Sequence, residues 1–459
     1  MKWLLLFILI INVAEARVCD FRKKGVKEAI PEIPSTIQLE DNWQSAYNDV
    51  FNVLCHNLKA PNAFFRGYRA HPGPPYKAAY LWDTAFITQV WLHWDTHIAE
   101  ELIHYVLKFQ KPSGKIHHAV VEIIVKPHAY SESQPPVLSW ASLRIYQKSK
   151  NKDFLKSVYP KLKLYHEWLL KERQHPDGLF FWKHAYESGI DNSPRFSTRS
   201  ENKFEDTTKM AAVDMSSYMA LSMESLSSIA KVLDLPEDEK IFDQQYTQLR
   251  SVMNKKLWDQ TRGMYFDWSY KKNSFITIET ISNLTPMVAG IPNQTQADQM
   301  MKKIIDPAYY NTLMPFPSVA RNEELFVKDM WRGPVWINMA YLGVLGVDRY
   351  GHHREAKYLA KKVVRAIFRT WENTGHFYEF YDPDRFDIKE LHRKKGNLWK
   401  RLTLGSKPVK DFVGWTGLAN SLLLEFGEET VAPYPTGTFS SLAPGALNLM
   451  PLIQVPANL

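Results

Sequence analysis

Cysteine is almost absent: the 459 residues contain two, Cys19 and Cys55. With no histidine pair nearby they argue against a structural zinc site, and at most they form one bridge. In an oxidising compartment that bridge would contribute roughly 3–4 kcal/mol in the chain-entropy model. Two buried thiols are the alternative, and the sequence leaves the choice open. Glycine is sparse, with 20 residues, and no glycine-rich phosphate loop occurs. Beyond the N-terminus no apolar run approaches the roughly 20 residues that span a bilayer. An excess of one charge is lacking too: 57 Lys+Arg against 49 Asp+Glu leaves +8, without a concentrated basic stripe. No nucleic-acid partner is expected from so weak a bias. The 15 histidines show no metal-ligand spacing, and the adjacent pairs His117-His118 and His352-His353 make poor chelators. Neither a metal nor another cofactor is expected.

What is abundant is apolar and aromatic. Hydrophobic residues make up 45% and charged ones 23%, proportions that exclude an intrinsically disordered chain. Aromatic residues reach 13%, with 15 Trp, 22 Tyr and 24 Phe. The first sixteen residues read as a secretory signal, with Lys2, an apolar stretch from Trp3 to Val13, and the A-x-A site Ala14-Glu15-Ala16. The expected location is therefore secreted or luminal, with a mature chain from Arg17. Asn283-Leu-Thr and Asn293-Gln-Thr are glycosylation sequons, the second favoured because Pro286 follows the first.

Helical periodicity dominates. Apolar residues recur every three or four positions from Trp43 to Leu54, Ile98 to Phe109 and Phe154 to Leu169. Further stripes run through 213–233, 238–257, 296–304, 334–348, 354–370 and 414–426. Brief strand-like stretches occur at Ala119–Val125, around Phe180-Phe181, and from Met264 to Trp268. Short turns between the stripes predict antiparallel helical hairpins, about a dozen helices in all. Residues 17–430 are expected to form one domain, and the uncharged, proline-rich 431–459 an irregular extension.

Six short stretches break this pattern: Tyr80-Leu81-Trp82-Asp83-Thr84, Ser133-Gln134-Pro135-Pro136, Glu187 to Arg195, Met330 to Trp336, Phe377 to Tyr381, and Gly414-Trp415-Thr416-Gly417. Singly, each reads as a helix cap or a packed turn. Together, Trp beside Asp, Gln or Arg at the ends of several hairpins is the composition of a sugar site. Aromatic faces cover the apolar side of a pyranose, and planar polar groups bind its hydroxyls.

The ordered series WDT, SQPP, ESGIDNSPRF, WRGPVW, FYEFYDP and GWTG resembles glycoside hydrolase family 63, from about Tyr80 to Phe426. That family holds processing α-glucosidases and shorter mannosylglycerate and glucosylglycerate hydrolases, with trehalases as more distant relatives. The resemblance implies an all-α (α/α)6 toroid with short β-hairpin insertions, and inverting hydrolysis of a small gluco- or manno-configured α-glycoside. By motif match Asp191 is the general acid and Glu379 the general base, with Glu187 and Glu372 as competitors for the second role. Trp82, Asp83, Gln134, Gly189, Trp336 and Trp415 correspond to substrate-binding positions, and Arg332 to one that pairs with a catalytic-site carboxylate or makes a purely structural ion pair. Arg195 is expected to hold its loop. The partner implied is a small carbohydrate, with a catalytically inactive sugar-binding protein or a trehalase-like α-glucosidase as alternatives. One departure stands out. Between Asp384 and Lys410 lie Arg385, Lys389, Arg393, Lys394, Lys395, Lys400, Arg401, Lys407 and Lys410. This stretch is either a lid over the aglycone side, suited to an acidic aglycone, or a solvated basic loop.

Overall fold

The computed structural model describes residues 19–40, 42–63, 65–123, 126–129, 132–197, 206–393 and 405–428. The expected signal at 1–16 and the extension at 431–459 lie outside the described residues, as do Lys394, Lys395, Lys400 and Arg401.

A single turn, α1 (Phe21–Lys24), precedes α2 (Trp43–Asn57). Five inner–outer helix pairs follow. They are α3 (Leu81–Trp94) with α4 (Thr96–Leu107), α5 (Leu138–Ser149) with α6 (Lys152–Arg173), and α7 (Val213–Val232) with α8 (Pro236–Lys256). Then come α9 (Thr285–Val288) with α10 (Gln294–Ile304), and α11 (Ile337–Arg349) with α12 (His353–Thr374); α13 (Leu418–Phe426) is last. The inner helices α3, α5, α7, α9, α11 and α13 each pack on the next, and α13 returns to α3, closing the ring. The sixth outer helix is α2, which packs on α12 and is tied to α13 where Asn420 Nδ2 donates to the Tyr47 carbonyl at 3.0 Å. The architecture is an (α/α)6 toroid with small β-sheets.

Burial explains which helix stands where. In α12 the buried residues Ala356, Leu359, Ala360, Val363, Val364, Ile367 and Phe368 form one stripe, with charged residues on the other face. Such a helix belongs outside. Every residue of α3 except His93 is buried, so it must be covered on all sides. Toward the C-terminal ends of α3 and α13, a polar cluster locks the inner ring. Arg144 donates to Gln89 Oε1 at 2.7 Å, to Tyr341 Oη at 2.7 Å and to Glu425 Oε1 at 2.6 Å. Burial pushes the Glu425 carboxyl up, but Arg144 and His93 override it and hold the group at about 2.

Small sheets decorate the ring. Ala119–Ile123 pairs with both Ala78–Tyr80 and Lys126–Ala129. Asp267–Ser269 pairs with Ser274–Ile276 and with Met210–Ala211, and Met264–Tyr265 pairs with Trp258–Asp259. The strand expected around Phe180 does not form; Phe180 makes one isolated bridge to Gln174, and its amide donates to Ser216 Oγ instead. Cys19 and Cys55 are disulfide-bonded, tying the N-terminal segment to α2. Asn283 of the first sequon is buried, donating Nδ2 to the Tyr265 carbonyl at 2.6 Å. Asn293 is exposed at the N-cap of α10. Among the described residues no helix is long and apolar enough to cross a membrane.

Candidate active site

The ring brings several inner-helix N-termini to one face, so the segments entering α3, α5, α11 and α13 meet there. Trp82 and Asp83 sit in the first turn of α3, Gln134 lies in the Pro-rich entry to α5, Trp336 caps α11 and Trp415 precedes α13. A cavity of about 100 Å³ forms between them. Trp82, Asp83, Gln134, Gly189, Asp191, Trp336, Glu379 and Trp415 all line it. Of the positions matched to substrate binding or catalysis, Arg332 is not on its wall.

The walls are aromatic. Trp331 stacks on Trp336 with centroids 3.8 Å apart, Trp336 meets Trp415 at 5.5 Å, and Trp415 meets Trp82 at 5.7 Å. Gly189 has φ +77°, and a Cβ there would stand 2.5 Å from Trp82 Cζ2. The glycine lets the loop carrying Asp191 lie directly against this indole, which any side chain would displace.

Each polar residue is positioned by bonds its segment makes elsewhere. The Asp191 loop is pinned downstream by buried Arg195, which pairs with Asp214 and, at 2.8 Å, with Asp267. Asn192 accepts the Trp331 amide at 3.0 Å, and Arg332 Nη1 donates to the carbonyls of Asn192 and Ser197, both at 3.3 Å. Arg332 therefore braces the Asp191 loop from behind. Gln134 Oε1 accepts the Trp82 amide at 3.2 Å. Glu187 accepts both arms of Arg173, at 2.9 and 2.8 Å. Burial opposes its charge, but Arg173 holds its carboxyl below the usual range. Glu372 pairs with Arg369 at 2.8 Å on the outer helix α12. Neither competitor lines the cavity.

Glu379 is gripped on every side. Its amide donates to the Val409 carbonyl at 3.0 Å, and its carbonyl accepts Trp415 Nε1 at 2.8 Å. Tyr76 Oη donates to Oε1 at 2.6 Å, and Arg393 Nη1 lies 3.0 Å from Oε2. Burial, with the Glu379 charge adding, raises Tyr76 well above the ordinary phenol range, so its hydroxyl keeps the proton it donates. Asp83 is buried as well. Desolvation, assisted by Glu379, lifts its carboxyl to about 8, so it is protonated at neutral pH and can donate to a hydroxyl.

Tyr76, His118 and Arg393 are residues that motif reading missed. His118 lies on the cavity wall between Tyr80 and Tyr186, with ring centroids at 5.4 and 4.8 Å. The signal for Arg393 was the basic stretch itself; of its described members Arg393 is buried, while Arg385, Lys389, Lys407 and Lys410 are exposed. Among the described residues no group of three or more His, Cys, Asp or Glu is arranged to hold a metal ion.

Comparison with known proteins places the chain in a family and supports the fold. Residues 76–392 match the model of the mannosylglycerate hydrolase MGH1-like glycoside hydrolase domain. The chain is 26% identical to a mannosylglycerate hydrolase of Thermus thermophilus over 68% of its own length and 90% of the relative's. It is 24% identical to the mannosylglycerate hydrolase of Rubrobacter radiotolerans, over 54% and 68%. In fold it is similar to the solved Thermus thermophilus GH63 mannosylglycerate hydrolase in complex with glucose, at TM-score 0.67 and 22% identity over 82% of this chain and 98% of that one. The neutral trehalase of Saccharomyces cerevisiae shares the fold at TM-score 0.59 and 16% identity, over 80% and 76%.

Proposed function

The chain belongs to the mannosylglycerate hydrolase MGH1-like glycoside hydrolase family, and from that premise we propose that it inverts the anomeric centre of a small gluco- or manno-configured α-glycoside as it hydrolyses it. The observation that carries the reading is that Asp191 and Glu379 line one small, aromatic-walled cavity. In this mechanism Glu379 takes a proton from water, whose oxygen attacks the anomeric carbon. The glycosidic bond breaks on the opposite side, and Asp191 gives its proton to the leaving oxygen. The two carboxyls of such a pair stand roughly 6.5–9.5 Å apart, leaving room for the water. Asp83, protonated, donates to a sugar hydroxyl, and Gln134, held through its Oε1, has its amide nitrogen to do the same. A cavity of about 100 Å³ is far below the roughly 300–1,000 Å³ of drug-sized sites, which favours a small glycoside over an extended chain.

Two relatives are named mannosylglycerate hydrolases, and a solved one was crystallised with D-glycerate. Mannosyl- or glucosylglycerate is thus the first substrate to try, with simple α-glucosides next. The N-terminal signal pattern and the Cys19–Cys55 bridge support action in a secreted or luminal, oxidising compartment.

The test is a panel of α-mannosides and α-glucosides, with and without a glycerate aglycone, assayed with wild type, Asp191→Asn and Glu379→Gln. Each variant is expected to lose roughly two to four orders of magnitude in kcat. Near-wild-type turnover by either overturns that residue's assignment. Binding without hydrolysis across the panel overturns the enzymatic reading.

A further inference from the structure

Arg393 comes from the basic stretch 385–410, at the end of the residues that match the family model, yet it reaches Glu379, the proposed general base. We propose that Arg393 and Tyr76 form a positioning clamp on Glu379, and that the basic stretch serves to deliver Arg393 to it. The proposal rests on reading Glu379 as the base.

Glu379 lies just beyond the end of α12, in neither a helix nor a strand, so no regular element fixes its side chain. A general base must present one lone pair to the water, so the carboxylate plane has to be held by its neighbours. Tyr76 donates to Oε1, while Oε2 faces the Arg393 guanidinium at 3.0 Å and accepts the Val409 amide at 3.5 Å. Arg393 Nη2 also donates to Tyr76 Oη, so the three side chains close a triangle. The Arg393 and Glu379 side chains are 4% and 5% exposed, which removes water as a competitor for either contact. Such contacts fix the direction of the carboxylate.

Arg393 is itself anchored through its backbone. His392 N donates to the Lys328 carbonyl at 2.8 Å, and Arg393 N donates to the Ser406 carbonyl at 2.8 Å. Lys328 Nζ then bridges Asp382 at 2.8 Å, Asp384 at 3.2 Å and Glu390 at 2.7 Å. These bonds join the Glu379 segment, the start of the basic stretch and residues 328–330 into one unit. A stretch that was only a solvated loop has no reason to bury its arginine here. A stretch that served only to bind an acidic aglycone would present the guanidinium to the substrate; Arg393 instead stands in an ion pair 3.0 Å from Glu379 Oε2 and donates Nη2 to Tyr76.

The test is a double-mutant cycle on kcat and KM. Arg393→Ala is expected to lower kcat by roughly a hundredfold, Arg393→Lys by roughly tenfold and Tyr76→Phe by several-fold, with KM within about threefold. Losses should be equal for acidic and neutral glycosides. In a Glu379→Gln background Arg393→Ala should add no further loss, because it acts through a base already removed. Thermal unfolding of each variant separates misfolding from misaiming, and the milder Arg393→Lys and Tyr76→Phe keep the question answerable if Arg393→Ala does not fold. Losses that multiply in the double variant, or a KM increase confined to acidic substrates, overturn the clamp. Near-wild-type turnover by Glu379→Gln alone instead overturns the reading of the base on which the clamp depends.

Discussion

Replacing Asp83 by asparagine reads the electrostatics of the cavity directly. Burial and the Glu379 charge lift this carboxyl from 3.8 to about 8. At pH 7 the folded chain therefore holds a proton that the unfolded chain has released. Restoring it on folding costs up to roughly 1.36 kcal/mol for each of about three pH units, or about 4 kcal/mol. Between about pH 4 and 8 the native state binds more protons than the unfolded one, so stability falls as pH rises through that window. It levels off below about 4, where both states are protonated, and above about 8, where both are ionised. Asparagine has the shape of the protonated acid and does not titrate. Asp83→Asn should thus match wild type near pH 4 and be progressively more stable up to pH 8, by roughly 5 °C in Tm. Scanning fluorimetry of both proteins from pH 4 to 8 measures the gap. A gap that stays constant with pH, or a variant less stable than wild type at pH 8, refutes the reasoning.

Gly189→Ala should cost roughly 1–3 kcal/mol for its left-handed backbone and displace Trp82, lowering kcat/KM at least tenfold, which denaturant titration and kinetics together check. If the chain is secreted from a glycosylating host, peptide mass spectrometry should find a glycan on Asn293 and none on buried Asn283.

The outer helices are legible in the sequence because one face of each meets solvent, as the stripe of α12 shows. The inner helices α3 and α5 are not. Nearly all of α3 is buried, so its apolar residues carry no helical period to read. The site segments are legible for a related reason: Trp82, Gln134, Trp336 and Trp415 stand at helix entries, where cap and turn residues interrupt the apolar pattern. Arg332 shows the limit of a motif. Its neighbours face the cavity, while its own guanidinium turns back to the Asn192 and Ser197 carbonyls. Tyr76 carries no local signal, and the basic stretch that holds Arg393 does not reveal which of its members is buried. Tyr76 and Arg393 lie 317 residues apart, and their meeting at Glu379 is a product of the closed ring. Burial of Asn283 is equally invisible, because it depends on where the Tyr265 carbonyl falls.

In the proposed mechanism Asp191 and Glu379 act as an acid and a base on opposite faces of the sugar. Proton NMR of the anomeric region during the first minutes of turnover distinguishes this from retention, using the best α-glycoside from the panel. The β-anomer of the free sugar is expected to appear first and then mutarotate. An α-anomer at the earliest time points would mean retention, as from a nucleophilic carboxylate about 5 Å from its partner, and would rule out this acid–base pair.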